Sequence, residues 1–234
     1  MQPDGTSIAT VAALVGEPAR ARMLLRLLDG RPATASELAR EADVTPQTAS
    51  AHLARLVAGG LLTVTSQGRY RVYALAGRDV GAAIEGLIAV AHRADPPTPA
   101  PGSRRQRPDA LRHARVCYDH LAGEVAVELF DRLVALRAIE DADGVLRFAP
   151  AGLDAFAAFG ADVPAPVRGR RPQCRRCLDW TERRPHLAGA AGAVLLARMF
   201  EIGWVRRERT GRALIVSPAG GMGLAWLFRE RAPA

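Results

Sequence analysis

Three cysteines and two histidines in the second half of the chain are the side chains best suited to chemistry. Cys174 and Cys177 form a Cys-x-x-Cys pair, and Cys117 and His120 form a Cys-x-x-His pair. Thiolate and imidazole donors at a two-residue spacing suit tetrahedral zinc, so Cys117, His120, Cys174 and Cys177 are the predicted ligands. His186 is a competing fourth ligand, and Asp119 and Asp179 stand where a carboxylate orients an imidazole from behind. The same residues also fit a thiol switch at Cys174, Cys177 and Cys117, because Arg175 and Arg176 favour thiolate. A third reading gives the cysteines no chemistry, since a thiol packs well as a small apolar group. The sequence leaves these three readings open.

A second kind of chemistry lies between Thr45 and Leu75. Thr45-Pro46 is a helix start, with a hydroxyl cap and then a proline where its missing N–H costs nothing. Ala49, Leu53 and Leu56 recur at helical spacing and predict a buried stripe. The remaining face carries Gln47, Thr48, Ala51, His52 and Arg55, groups suited to hydrogen bonding or to close approach. Gly59-Gly60 ends the helix. Leu62, Val64, Tyr70, Val72 and Ala74 then alternate around Gln67-Gly68, with Arg69 and Arg71 between them, which predicts a β-hairpin with a basic tip. A polar helix followed by a basic hairpin is the winged helix-turn-helix way of reading double-stranded DNA. Gln47, Thr48, Ala51 and His52 are expected at base edges. Thr45, Ser50, Arg55, Arg69 and Arg71 are expected at phosphates or the minor groove.

The elements that must position these groups follow from the pattern around them. Short helices are predicted at 7–15, 19–28 and 37–42, capped by Ser7, by Glu17-Pro18 and by Thr34 or Ser36. The third helix is joined to the next by a turn of helix-turn-helix length. An amphipathic helix follows at 79–91. Residues 93–108 hold five prolines with Arg104, Arg105 and Arg107, and read as a stiff linker. Beyond it the sequence repeats itself. His-Leu-Ala-Gly stands at 120–123 and 186–189, and Pro-Ala-Gly at 150–152 and 218–220. Between these anchors each half predicts a helix, a strand pair (around Asp143-Gly144 and Thr210-Gly211) and a closing helix. Trp204 and Trp226 are expected in the core, and Trp180 beside the thiols at an effector pocket. The expected fold is mainly α with small β-hairpins (α+β). Its domains are 1–92 (winged helix-turn-helix), 93–108 (linker) and 109–234 (two helix–hairpin–helix repeats, about 109–165 and 174–234).

Composition narrows the classes further. The 234 residues are 49% apolar, enough for a real core, and carry a net charge of +8 in which the cationic side chains are all arginine, which suits phosphate. No run of about 18 apolar residues marks a membrane span. An odd cysteine count and an N-terminus without a basic region and long apolar run predict a cytoplasmic protein.

Residues 7–92 resemble the DNA-binding domain of the ArsR/SmtB winged-helix regulators. The resemblance rests on Glu17-Pro18-Ala19-Arg20, Glu37-Leu38-Ala39, Ser50-Ala51-His52-Leu53, Gly60-Leu61-Leu62 and Tyr70-Arg71-Val72-Tyr73. It implies a homodimer joined through the first and last helices on a two-fold operator. The family's thiolate metal motif has no counterpart in 37–42, and Asp79 and His92 lack the other ligands of its last-helix site. The second half is similar to the C-terminal extension of longer members carrying Cys-x-x-Cys-Leu-Asp-Trp and His-Leu-Ala-Gly. The expected function is a DNA-binding transcriptional regulator, a repressor, sensing a metal such as zinc, an oxidant or a small effector through the Cys/His cluster. The alternatives are a thiol redox enzyme using Cys174 and Cys177, and a zinc-bearing interaction module that does not bind DNA. A hydrolase is not supported, because no Gly-x-Ser-x-Gly is present.

Overall fold

A computed structural model describes residues 5–94, 108–142, 145–167, 171–209 and 211–227. Most of the expected linker, with Arg104, Arg105 and Arg107, lies outside these residues. So do Asp143-Gly144, Thr210 and the side chain of Trp226. The chain divides into two units, Met1–Leu87 and Ile88–Ala234.

In the first unit α1 (Gly5–Val15) and α2 (Pro18–Leu27) lead to β1 (Ala33–Thr34), α3 (Ala35–Ala42) and α4 (Pro46–Ala58). The wing, β2 (Leu62–Gln67) and β3 (Tyr70–Leu75), follows, and then α5 (Arg78–Ala94), whose last turns from Ile88 belong to the second unit. Local chemistry sets each start. Glu17 accepts the N–H groups of Ala19 and Arg20, and Pro18 occupies the first helical position. Thr34 and Glu37 exchange bonds in a capping box, which settles the cap of α3 in favour of Thr34. Asp43 ends α3 in the left-handed region, φ 55°, and the chain turns at once into α4. Met23, Leu24, Leu27, Leu28, Leu38, Ala42, Ala49, Leu53 and Leu56 are all buried and form the core under the helices. The wing is a register-matched antiparallel pair from Leu62↔Leu75 to Gln67↔Tyr70. β1 pairs with β3, giving strand order β1-β3-β2, a short strand that sequence reasoning missed because two residues show no alternation.

After the end of α5, the second unit continues with α6 (Pro108–His113). It then runs β4 (Arg115–Cys117), β5 (His120–Ala122), α7 (Glu124–Ala135), β6 (Ile139–Ala142), β7 (Val145–Phe148) and α8 (Pro150–Ala158). The same order returns as β8 (Arg175–Leu178), β9 (Pro185–Ala188), α9 (Ala190–Glu201), β10 (Val205–Arg207), β11 (Leu214–Val216) and α10 (Pro218–Leu227). The expected helix–hairpin–helix order therefore has an additional hairpin in front of each long helix. Cys117, His120, Cys177 and His186 sit in those hairpins, and Cys174 stands just before β8.

The recurring glycines have steric causes. Gly123 and Gly189 join strand to helix at φ 95° and 92°, and a Cβ at either would lie 2.6 Å from a backbone oxygen. At Gly152 and Gly220 the helix presses on the preceding chain, and a Cβ would lie 2.0 Å from the Ala138 oxygen or 2.2 Å from that of Trp204. One apolar cluster runs through the unit, including Val116, Leu121, Phe130, Leu133, Phe156, Leu187, Leu195 and Met199. α7 packs on β9 and α9 on β5, so each long helix covers the other half's hairpin.

Candidate functional site

The first candidate surface is α4 with its wing. Gln47, Thr48, Ser50, Ala51 and Arg55 are exposed along one side of α4, while Ala49, Leu53 and Leu56 are fully buried on the other. Thr45 caps the helix: its hydroxyl accepts the Thr48 N–H at 3.2 Å and bonds the Thr48 hydroxyl at 2.9 Å. His52 departs from expectation. Its Nδ1 lies 3.3 Å from an Arg20 guanidinium nitrogen and 3.6 Å from Glu17 Oε2, and the ring is mostly covered. Position 52 completes an i, i+3, i+4, i+7 stripe with 49, 53 and 56, so helical geometry turns it toward α2 and away from the polar face. Arg20, itself buried, also holds the end of α1 through the carbonyls of Ala13 and Leu14. His52 is thus part of the brace that fixes α4. Burial works against the Glu17 carboxylate, but the N–H groups of Arg20 and Ala19, with His52 and Arg20 nearby, hold its pKa below the usual range.

At the wing, Arg69 and Arg71 are exposed, stacked 4.9 Å and 5.9 Å over the rings of Tyr70 and Tyr73. Tyr70, expected among the inward alternating residues, is 52% exposed, in the last pair of the hairpin, Gln67↔Tyr70. It adds an aromatic face to the basic wing.

The second candidate site is in the C-terminal unit. The register pairs Cys117 with His120 in one hairpin and Cys177 with His186 in the other. One ligand atom from each of these four residues lies within 4.8 Å of the others, and the two sulfurs are 3.9 Å apart. His120 and His186 stack with ring centroids 5.1 Å apart. Cys174, expected as a ligand, is not in this group. It is buried in the apolar cluster, where burial raises its thiol pKa to about 12. The reason is strand geometry: residues three apart in an extended chain point to opposite faces, so Cys174 and Cys177 cannot share one. His186, read as the competitor, takes the fourth place, brought there by pairing across the β8–β9 hairpin.

Around the four groups the charges are compensated. Asp119 accepts from His120 Nδ1 at 3.1 Å and from two Arg171 nitrogens at 2.7 and 3.1 Å. Burial opposes the charge on Asp119, but the bonds from His120 and Arg171 prevail and lower its pKa. Asp179, fully buried, accepts from Arg115 at 2.9 Å, from the Gly123 N–H at 2.6 Å and from the Thr181 N–H and hydroxyl at 2.9 and 2.6 Å. Burial opposes its charge too, but these partners outweigh it and hold the carboxyl far below the usual range. A hydrogen bond from Cys117 lowers the Cys177 thiol far below its ordinary value against burial, and the neighbouring imidazoles add to it. Burial works to lower the His120 pKa, but Asp119 and Cys177 raise it. Arg115 lies over the Trp180 ring at 4.4 Å, and His92 meets the same ring edge-on at 4.9 Å. No helix among the described residues is long and apolar enough to cross a membrane.

A helix-turn-helix with an exposed polar second helix and a basic wing defines a protein of the winged, DNA-binding class. Residues 15–65 match the family model described as a helix-turn-helix domain. The HTH-type transcriptional regulator YdfF of Bacillus subtilis (strain 168) is 38% identical over 214 residues, 92% of this chain and 93% of that one. The chain therefore belongs to the helix-turn-helix transcriptional regulators. Among solved structures it is similar to HlyU from Vibrio cholerae N16961 (26% identity, 40% of this chain and 97% of that one, TM-score 0.35). It is also similar to the cadmium metal-sensor CMTR from Mycobacterium tuberculosis (32% identity, 42% and 99%, TM-score 0.32).

Proposed function

We propose that the chain acts as a homodimeric repressor that grips a two-fold DNA site and releases it when its C-terminal unit meets an effector. Gln47, Thr48 and Ala51 read base edges in the major groove, and Ser50, Arg55, Arg69 and Arg71 hold phosphates. Thr45 fixes the start of α4, and His52 braces the helix from behind. The observation that carries this reading is the exposed polar face of α4 beside an arginine-tipped wing, a surface with no core to join. The two hairpin–helix–hairpin–helix halves are read as copies of one ancestral unit. Their Cys/His cluster is the sensing part, responsive to a metal ion, an oxidant or a small molecule. An effector acts by preferring one of two arrangements of the dimer, changing the separation of the two α4 helices relative to one DNA turn. A dithiol enzyme finds less support, because Cys174 sits in the apolar core apart from the Cys177 group.

Binding measured on a DNA site recovered by selection, with two variants, tests the reading. Gln47→Ala is expected to lose about 1–3 kcal/mol of discrimination between that site and a scrambled one. Arg71→Ala is expected to weaken both about equally and to reduce the salt slope by roughly 0.9 for each phosphate no longer neutralised. Unchanged DNA affinity in both variants would overturn the assignment.

A further inference from the structure

We propose that Cys117, His120, Cys177 and His186 form a tetrahedral site for one thiophilic d10 cation of zinc's class, clasping the β4–β5 and β8–β9 hairpins, with Cys174 taking no part. This rests on the reading of the cluster as the sensing site and deepens it.

Geometry gives the first argument. A tetrahedron built on Zn–S bonds of about 2.3 Å has S···S edges of about 3.8 Å. The two sulfurs stand 3.9 Å apart, with the imidazole donors within the same 4.8 Å span. Each hairpin supplies one thiol and one imidazole from a directly paired position, Cys117↔His120 and Cys177↔His186.

Hydrogen bonding gives the second. Nε2 of His120 and both ring nitrogens of His186 are buried and make no hydrogen bond. A buried polar group left unmade costs about 1–3 kcal/mol. Coordination removes that cost at one nitrogen of each ring. The histidines are already oriented for it. Asp119 takes the Nδ1 side of His120, leaving Nε2 as its ligand, and Asp119 is itself held by two Arg171 nitrogens. Asp179 stands 3.6 Å from Nδ1 of His186, anchored by Arg115 and the Gly123 N–H. A carboxylate behind a ligating imidazole is the usual support for a metal-bound histidine.

Charge gives the third. Asp119 and Asp179 are each matched by an arginine, so neither carboxylate leaves a charge for the site to absorb. Two thiolates then require one dication for neutrality, which a buried site needs. Two sulfur and two imidazole donors select zinc or a softer relative over magnesium or calcium.

The test uses the full-length chain without a histidine tag, under reducing conditions, with zinc(II) and cobalt(II) as probes. The wild type is expected to bind one metal per chain. Its cobalt form should show tetrahedral ligand-field bands and sulfur-to-cobalt charge transfer of two-thiolate intensity. Cys174→Ser should keep both the stoichiometry and the spectrum, and Cys177→Ser and His186→Gln should lose stoichiometric metal. If either ligand variant fails to fold by circular dichroism, the wild-type charge-transfer intensity and the Cys174→Ser result still decide. Three-thiolate intensity, an octahedral cobalt spectrum, no bound metal in the wild type, or metal lost in Cys174→Ser would each overturn the proposal. DNA binding measured on the same samples separates the two readings, since metal stoichiometry does not depend on it.

Discussion

At the scale of single residues, the chain shows how far side-chain type reads and where position takes over. The Cys-x-x-Cys at 174–177 is conspicuous in the sequence, yet one of its thiols is core and the other belongs to a different group. Their spacing separates them only once the segment is known to be extended, and the partner of Cys177, His186, is chosen by hairpin register. His52 illustrates the converse. Its type suggests a base-edge donor, while its place in the 49–53–56 stripe points inward. Arg115 and Asp179 carry no signal that they will meet, since they are distant in sequence and each looks like a surface residue. Both side chains are fully buried in one ion pair. Truncating one member strands the other in a low-dielectric interior, which costs about 3–5 kcal/mol. Asp179→Ala is therefore expected to destabilise the protein by that amount in urea titrations. A loss of less than about 1 kcal/mol, the value of an exposed pair, would contradict the assignment.

At the scale of elements, the helix-turn-helix was legible because its instructions are local. Thr45-Pro46, Glu17-Pro18 and the Thr34–Glu37 capping box act within one turn, and the apolar spacing of α4 names its buried face. The hairpins β4–β5 and β8–β9 were not legible. Their strands hold three or four residues, too few for alternation to register, and each runs straight into a helix through His-Leu-Ala-Gly. The recurring tetrapeptide marked the place without disclosing the strand. The glycines explain why the words recur, and adjacent positions in α10 test that explanation. At Gly220 a Cβ would lie 2.2 Å from the Trp204 oxygen, whereas at Gly221 nothing lies within 4 Å. Gly220→Ala is expected to cost about 1–3 kcal/mol through overpacking. Gly221→Ala is expected to stabilise by about 0.4–1 kcal/mol through a less disordered unfolded chain. Thermal unfolding of the two variants checks the pair, and equal effects would refute the close-approach explanation.

At the scale of the whole molecule, the chain joins a winged helix-turn-helix with an arginine-tipped wing to a second unit with its own apolar core. The net charge of +8 favours an anionic partner without saying which, and the exposed face of α4 with its wing narrows that partner to DNA. If the proposed dimer binds and each protomer neutralises one phosphate through each of Arg55, Arg69 and Arg71, log affinity should fall with log salt at a slope of roughly −5. A two-fold dimer also fixes the form of the site it selects. The most direct measurement is selection from a random duplex library by the full-length chain, followed by binding to the enriched sequence across a range of salt. The expected result is an inverted repeat with half-sites about one helical turn apart and that steep slope, reduced by Arg69→Ala and Arg71→Ala. Enrichment of no sequence, or an affinity indifferent to salt, would contradict it.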